Sequence, residues 1–290
     1  MFLILAVKTA GQRQLTFSQV KNRDWIVIKK PLVYSLLAAF SLGIYIFTWL
    51  GALLFVFITF IFFVIQFIID HLKHKSTDYL YFVGVIFFFV TLLMALMISS
   101  STLYIVSLVI ATFTMMVLSY LSRLMANRKL MIAYYPLSLL GLAGVAAGLL
   151  YLADRALFDS MLSAFSLFSP SGAQLTTIEM QPLISPIYGN PLAIAWGNFN
   201  ISFFLSFISL LLLIYLTIRH GNAEKGLLMV WSLVILLATL GQRRFGYYLS
   251  VNFALLTGYV LCRTIAMFSF KEITDRGLKT ATEASGRRRR

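Results

Sequence analysis

The sequence predicts an all-α polytopic membrane protein, and three observations carry that prediction. Hydrophobic residues fill 60% of the 290 positions, against about 45–50% in an average soluble domain. Mean hydropathy is +0.88. Several apolar runs reach the roughly 20 residues that a helix needs to cross a bilayer core, and no train of alternating barrel strands is present. So little polar surface cannot cover a water-soluble globule, so the chain must use lipid as solvent.

The elements follow in chain order. Met1–Val7 is apolar but too short to span. No basic region precedes it and no small-residue cleavage site follows, so it is read as the last turns of a span and not as a signal peptide. A basic connector at about 8–30 holds Lys8, Arg13, Lys21, Arg23, Lys29 and Lys30. The run from Pro31 to Ile69 is two spans that reverse at Trp49-Leu50-Gly51, where the indole marks an interface. Spans near 79–98 and 103–122 follow His71, Lys73, His74 and Lys75, and meet at Ser99-Ser100-Ser101. Arg123, Arg128 and Lys129 precede a span near 131–152. A long connector, 153–197, leads to spans near 200–218, 226–241 and 245–267. The expected total is eight complete spans plus an N-terminal stub, forming a membrane domain over 1–270. Residues 271–290, ending in Arg287-Arg288-Arg289-Arg290, are expected to be a disordered basic tail.

The net charge of +14 could serve nucleic acid, but its distribution argues against that partner. Lysine and arginine cluster at 8–30, 71–77, 123–130, 219–225 and the tail, while 49–51, 99–102 and 153–197 nearly lack them, apart from Arg155. That alternation is the bias of cytoplasmic loops. It puts the long connector outside and the C-terminus in the cytoplasm. Gln242-Arg243-Arg244 breaks the pattern, with two arginines on the outer side. The single cysteine, Cys262, excludes an intrachain disulfide and is expected to pack as a small hydrophobe. The three histidines have no metal-ligand spacing.

Between Asp159 and Arg219 the only charged side chain is Glu179, on a connector that holds Pro170, Pro182, Pro186 and Pro191, four of the six prolines. A solvated loop glutamate is the simplest account. The surrounding Leu, Ile, Phe and Pro favour a loop packed on the membrane, where a carboxylate could bind a divalent cation or accept hydrogen bonds from a polar substrate. Arg243 and Arg244 fit interface-snorkelling side chains, or a fork of donors for the diphosphate of a lipid carrier. Tyr134, Tyr135, Tyr247 and Tyr248 read as belt residues. Arg155 between Asp154 and Asp159 reads as a local ion pair. Asn200-Ile201-Ser202 matches a glycosylation acceptor but opens a span. The residues alone form no complete catalytic constellation.

At these motifs the chain resembles a known family. Thr176-Thr177-Ile178-Glu179, followed by Met180-Gln181-Pro182, resembles the fifth external loop of oligosaccharyltransferase catalytic subunits, the STT3, PglB and AglB proteins. Arg244-Phe245-Gly246-Tyr247-Tyr248-Leu249, with Ala254-Leu255-Leu256-Thr257-Gly258, resembles that family's Arg-Phe span. Ser41-Leu42-Gly43 through Trp49-Leu50-Gly51 is similar to the archaeal branch. The resemblance implies a partial GT-C-type glycosyltransferase membrane domain. It implies en bloc transfer of a glycan from a dolichyl or polyprenyl (di)phosphate to the asparagine of an Asn-x-Ser/Thr sequon. It further implies that Glu179 helps hold a catalytic Mg²⁺ or Mn²⁺, and that Thr176, Thr177 and Ile178 form the acceptor-peptide loop. Arg244, with Arg243 beside it, would bind the lipid diphosphate. Thr177 stands where the family has Ile or Val. The family's other acidic metal ligands, its last span and its outer domain with a Trp-Trp-Asp motif have no counterpart here, and no Trp-Trp pair occurs. The implied partners are a lipid-linked oligosaccharide, a sequon-bearing polypeptide, membrane lipid and the rest of the same enzyme. The isolated chain is expected to be inactive. A transporter or lipid-linked-sugar flippase is the rival, although no internal repeat is visible. A subunit that only binds the carrier is a third reading.

Overall fold

The computed structural model describes residues 1–98, 101–128, 131, 134–170, 175–184 and 190–287, with side chains as far as Ala266 except those of Leu50 and Ile98. Ser99, Ser100, Lys129, Pro186 and Arg288–Arg290, named above, lie outside the described residues, as do 171–174.

The apolar runs fold as helices that reach beyond the runs. In order they are α1 (Phe2–Gln12), α2 (Phe17–Lys21), α3 (Trp25–Thr48), α4 (Leu53–Leu72), α5 (Asp78–Ile98), α6 (Thr102–Asn127), α7 (Tyr134–Ala153), α8 (Arg155–Ser163), α9 (Ala193–Phe199), α10 (Ile201–His220), α11 (Ala223–Gly241) and α12 (Gly246–Arg287). Eight of these are long and apolar enough to cross a membrane. The extensions take in charged residues at one end. α3 starts ahead of Pro31 and includes Lys29 and Lys30, and α6 runs past Arg123. Long basic side chains allow this, because their stems lie along apolar surface while the charge reaches water.

Residues 271–287 continue α12; no proline follows Pro191, and Lys, Ala, Glu and Arg favour helix. One expectation is corrected. Cys262 is exposed on α12 and not packed inside. The expected ion pair beside the long connector is present, with Arg155 Nε 4.0 Å from Asp159 Oδ2. Asp154 instead caps α8, its Oδ1 accepting from Leu157 N at 3.0 Å.

Within the bundle α3 packs on α1 and α5, α5 on α6, and α4 on α6 and α11, while α10, α11 and α12 close on one another. Phe62, Phe63, Phe67 and Phe88 fill its centre. α7 is the exception, with Tyr135 as its one buried residue among those described. The Tyr135 ring stacks on His71 at 4.1 Å and its hydroxyl donates to Leu118 O at 3.1 Å. The connector carrying Glu179 therefore hangs from a helix anchored at one end only.

At the basic end Asp70 is fully buried and tied on both oxygens. Gln66 Nε2 donates to Oδ1 at 2.9 Å and Tyr79 Oη donates to Oδ2 at 2.5 Å. Gln66 also reaches Gly221 O at 3.5 Å, in the α10–α11 turn where φ is +65°. Removing the carboxylate strands two donors, each costing about 1–3 kcal/mol when buried. We expect Asp70→Ala to lower unfolding stability by roughly 2–5 kcal/mol. Asp70→Asn, which keeps one acceptor, should lose less. Titration of unfolding in mixed micelles checks both.

Candidate functional site

The long connector is held to the bundle by its two halves. In the first half, Phe165 and Phe168 pack on Phe57 of α4, with centroids 5.4 and 6.4 Å away. Here the chain also passes across the end of α11. A Cβ on Gly241 would stand 2.5 Å from Phe168 O and 2.8 Å from Leu167 O. Only glycine lets two backbones approach so closely.

The second half carries the sequence-predicted residues. Thr177 opens a 3-10 turn over Ile178–Met180, in which Met180 N donates to Thr177 O at 3.0 Å. Gln181 Nε2 reaches back to Leu175 O at 3.2 Å and closes the segment into a small loop. Thr176, Thr177, Ile178 and Glu179 are all exposed on it. The Glu179 carboxylate takes part in none of the ion pairs among the described residues.

Beyond Glu179 the chain is clamped to the α11–α12 turn. Arg243 N donates to Gln181 O at 3.0 Å, Arg243 Nε to Pro182 O at 2.9 Å, and Leu183 N to Leu240 O at 3.2 Å. The Leu183 side chain is buried beneath the clamp. The fold thus brings the Glu179 turn against the Arg243–Arg244 turn, far apart in sequence. It also gives the two arginines different surroundings. Arg243 is partly buried and serves as the strap on the loop. Arg244 is exposed, its guanidinium 5.1 Å from the Phe245 ring centre, and its donors face solvent or a ligand. Between the two connector halves and α11 lies an open cleft of about 350 Å³, lined by Phe168, Pro170, Pro182, Leu237 and Leu240.

Sequence reasoning missed Gln181, Pro182, Leu183 and Gly241 as the parts that hold the loop. Their signal was weak: a Pro-Leu pair after a polar turn, and a glycine ending an apolar run.

No family model matches the chain. Over 277 residues, 88% of the chain, it is 21% identical to dolichyl-phosphooligosaccharide-protein glycotransferase 3 of Archaeoglobus fulgidus. The structure of the archaeal oligosaccharyltransferase AglB from Archaeoglobus fulgidus, in complex with an inhibitory peptide and a dolichol-phosphate, superposes on 93% of the chain with a TM-score of 0.75 at 20% identity. In sequence and in fold the chain is similar to the archaeal oligosaccharyltransferase AglB. The apo structure of the Archaeoglobus fulgidus oligosaccharyltransferase agrees, with a TM-score of 0.71 at 19% identity over the same 93%. The chain covers 32% of the curated glycotransferase and 33% of each of those two solved chains, about a third of their length. The fold that it shares with them is the membrane-spanning helical bundle.

Proposed function

We propose that the chain supplies the carrier-binding and acceptor-loop part of an oligosaccharyltransferase catalytic subunit. Such an enzyme moves a glycan from a dolichyl or polyprenyl (di)phosphate to the asparagine of Asn-x-Ser/Thr. The observation that carries this reading is the clamp between Gln181–Leu183 and Leu240–Arg243. It holds the turn that carries Glu179 against the turn that carries the exposed Arg244. A flippase is not favoured, since the proteins the chain resembles are transferases.

In this reading Arg244 does the electrostatic work. Its planar fork matches phosphate oxygens, and a fixed positive charge there stabilises negative charge growing on the departing phosphate. Arg243 would add charge nearby while its Nε keeps the loop in place. Thr176, Thr177 and Ile178 would line the path of the acceptor peptide, and the loop would face outward.

The residues present fit a metal only in part. Glu179 is the right chemistry for Mg²⁺ or Mn²⁺, but among the described residues no group of three or more His, Cys, Asp or Glu could hold an ion. One carboxylate cannot replace the oxygen shell that such ions require. Glu179 would therefore share a cation with acids from elsewhere in the enzyme.

The expected result has two sides. The purified chain in nanodiscs should cross-link a photoreactive lipid-linked oligosaccharide near Arg244, yet transfer no glycan to an Asn-x-Thr peptide with Mn²⁺ present. Transfer by this chain alone would overturn the shared-site reading. Failure to capture the carrier would overturn the function.

A further inference from the structure

Arg244 lies in the 3-10 turn Arg243–Phe245 that leads into α12, and four residues on, in the first turn of α12, is Tyr248. Its hydroxyl lies 3.0 Å from that of Tyr45, at the end of α3. Both rings are locked by edge contacts. Tyr45 stands 5.1 Å and Tyr248 5.5 Å from Phe55, and Trp49 lies 5.6 and 5.9 Å from the two. The two hydroxyls are the polar tips of an otherwise apolar cluster, and both residues are only partly buried.

Donor arithmetic makes this pair informative. Two phenols bring two O–H donors, and the bond between them uses one, whichever oxygen donates. One donor is left over. A further turn down α12, Asn252 is buried and its Nδ2 has no acceptor among the described residues. Tyr248 and Asn252, one turn apart on α12, and Arg244 in the turn that leads into it therefore bring more donors than acceptors. A ligand that only accepts hydrogen bonds corrects such an imbalance, and a phosphate does so best.

We propose that the Tyr45–Tyr248 pair is a second donor station, beneath Arg244, for the phosphate of a polyprenyl lipid. The inference rests on the carrier reading of Arg244 and adds residues to it. Arg244 supplies the charge and the uncommitted phenol O–H fixes the depth and rotation of the phosphate. The aromatic cluster holds that O–H in place, so little ordering remains to be done on binding.

The test is titration of the chain in nanodiscs with dolichyl phosphate, dolichol and inorganic pyrophosphate. Tryptophan emission reads binding, because Trp49 contacts Tyr248 and Trp231 contacts Phe55. Tyr248→Phe should weaken dolichyl phosphate binding about three- to tenfold, the net scale of one lost hydrogen bond, and leave dolichol unchanged. Tyr45→Phe/Tyr248→Phe should lose about as much as or slightly more than Tyr248→Phe, since the two share one donor function. Pyrophosphate should show the same order with weaker binding, separating headgroup from lipid. Equal affinity of wild type and both phenylalanine variants, with Arg244→Ala still impaired, overturns this inference and spares the function. Equal loss of dolichol and dolichyl phosphate assigns the tyrosines to packing and also overturns it. A wild type that does not distinguish dolichyl phosphate from dolichol overturns both readings.

Discussion

Gly241→Ala is expected to release the Glu179 connector from the bundle. The added methyl would meet Phe168 O at 2.5 Å and Phe168 C at 2.7 Å, main-chain atoms that cannot swing aside. Overpacking of this kind costs about 1–3 kcal/mol, and here the first half of the connector can relieve it by lifting away. At about 1.4 kcal/mol per factor of ten, local opening should become roughly 5- to 150-fold more frequent. Hydrogen exchange reads this directly. The Leu183 and Arg243 amides, bonded to Leu240 O and Gln181 O, should exchange faster, while α3 and α5 stay protected. Unchanged exchange at those two amides would show that the loop does not depend on the close approach at Gly241.

Arg244→Ala and Arg243→Ala should fail in different ways. Removing Arg244 takes an exposed cation from a surface without disturbing any hydrogen bond to the loop, so folding and loop exchange should be unchanged. Binding of dolichyl phosphate should fall about 10- to 150-fold, the effect of losing a charge-assisted contact worth about 1.5–3 kcal/mol. Removing Arg243 takes away the 2.9 Å bond from Nε to Pro182 O, so exchange at Leu183 should rise first and binding should fall as a consequence. Arg244→Lys keeps the charge but loses the fork, and should recover only part of the affinity. If Arg243→Ala lowered phosphate binding with loop exchange unchanged, the division of labour between the two arginines would be wrong.

The all-helical membrane fold was legible because lipid imposes simple rules. An apolar run of span length in a chain with too little polar surface has no other stable form. The reversal at Trp49–Gly51 and the order of the spans could be read from composition alone. Helix ends could not, because Lys29, Lys30, Arg123 and their neighbours join the helices by letting long stems lie along apolar surface. The end of α12 could not be read on the same point: without proline, basic and polar residues continue it to Arg287.

Within the site, the sequence by itself singled out Glu179, as the only charge between Asp159 and Arg219, and Arg243-Arg244, as cations on the wrong side of the pattern. Single-residue chemistry and a one-dimensional charge pattern are enough for that. It could not say that these two turns meet, nor that Arg243 is a strap and Arg244 the exposed donor. Nor could it show that Tyr248, read as a belt residue, shares a hydrogen bond with Tyr45 from α3. Those outcomes depend on backbone carbonyls at Gln181, Pro182 and Leu240 and on the space above Gly241, none of which has a side-chain signature. Hydrophobicity decides which segments enter the membrane, whereas the close packing of helix ends decides which polar groups are left free to act.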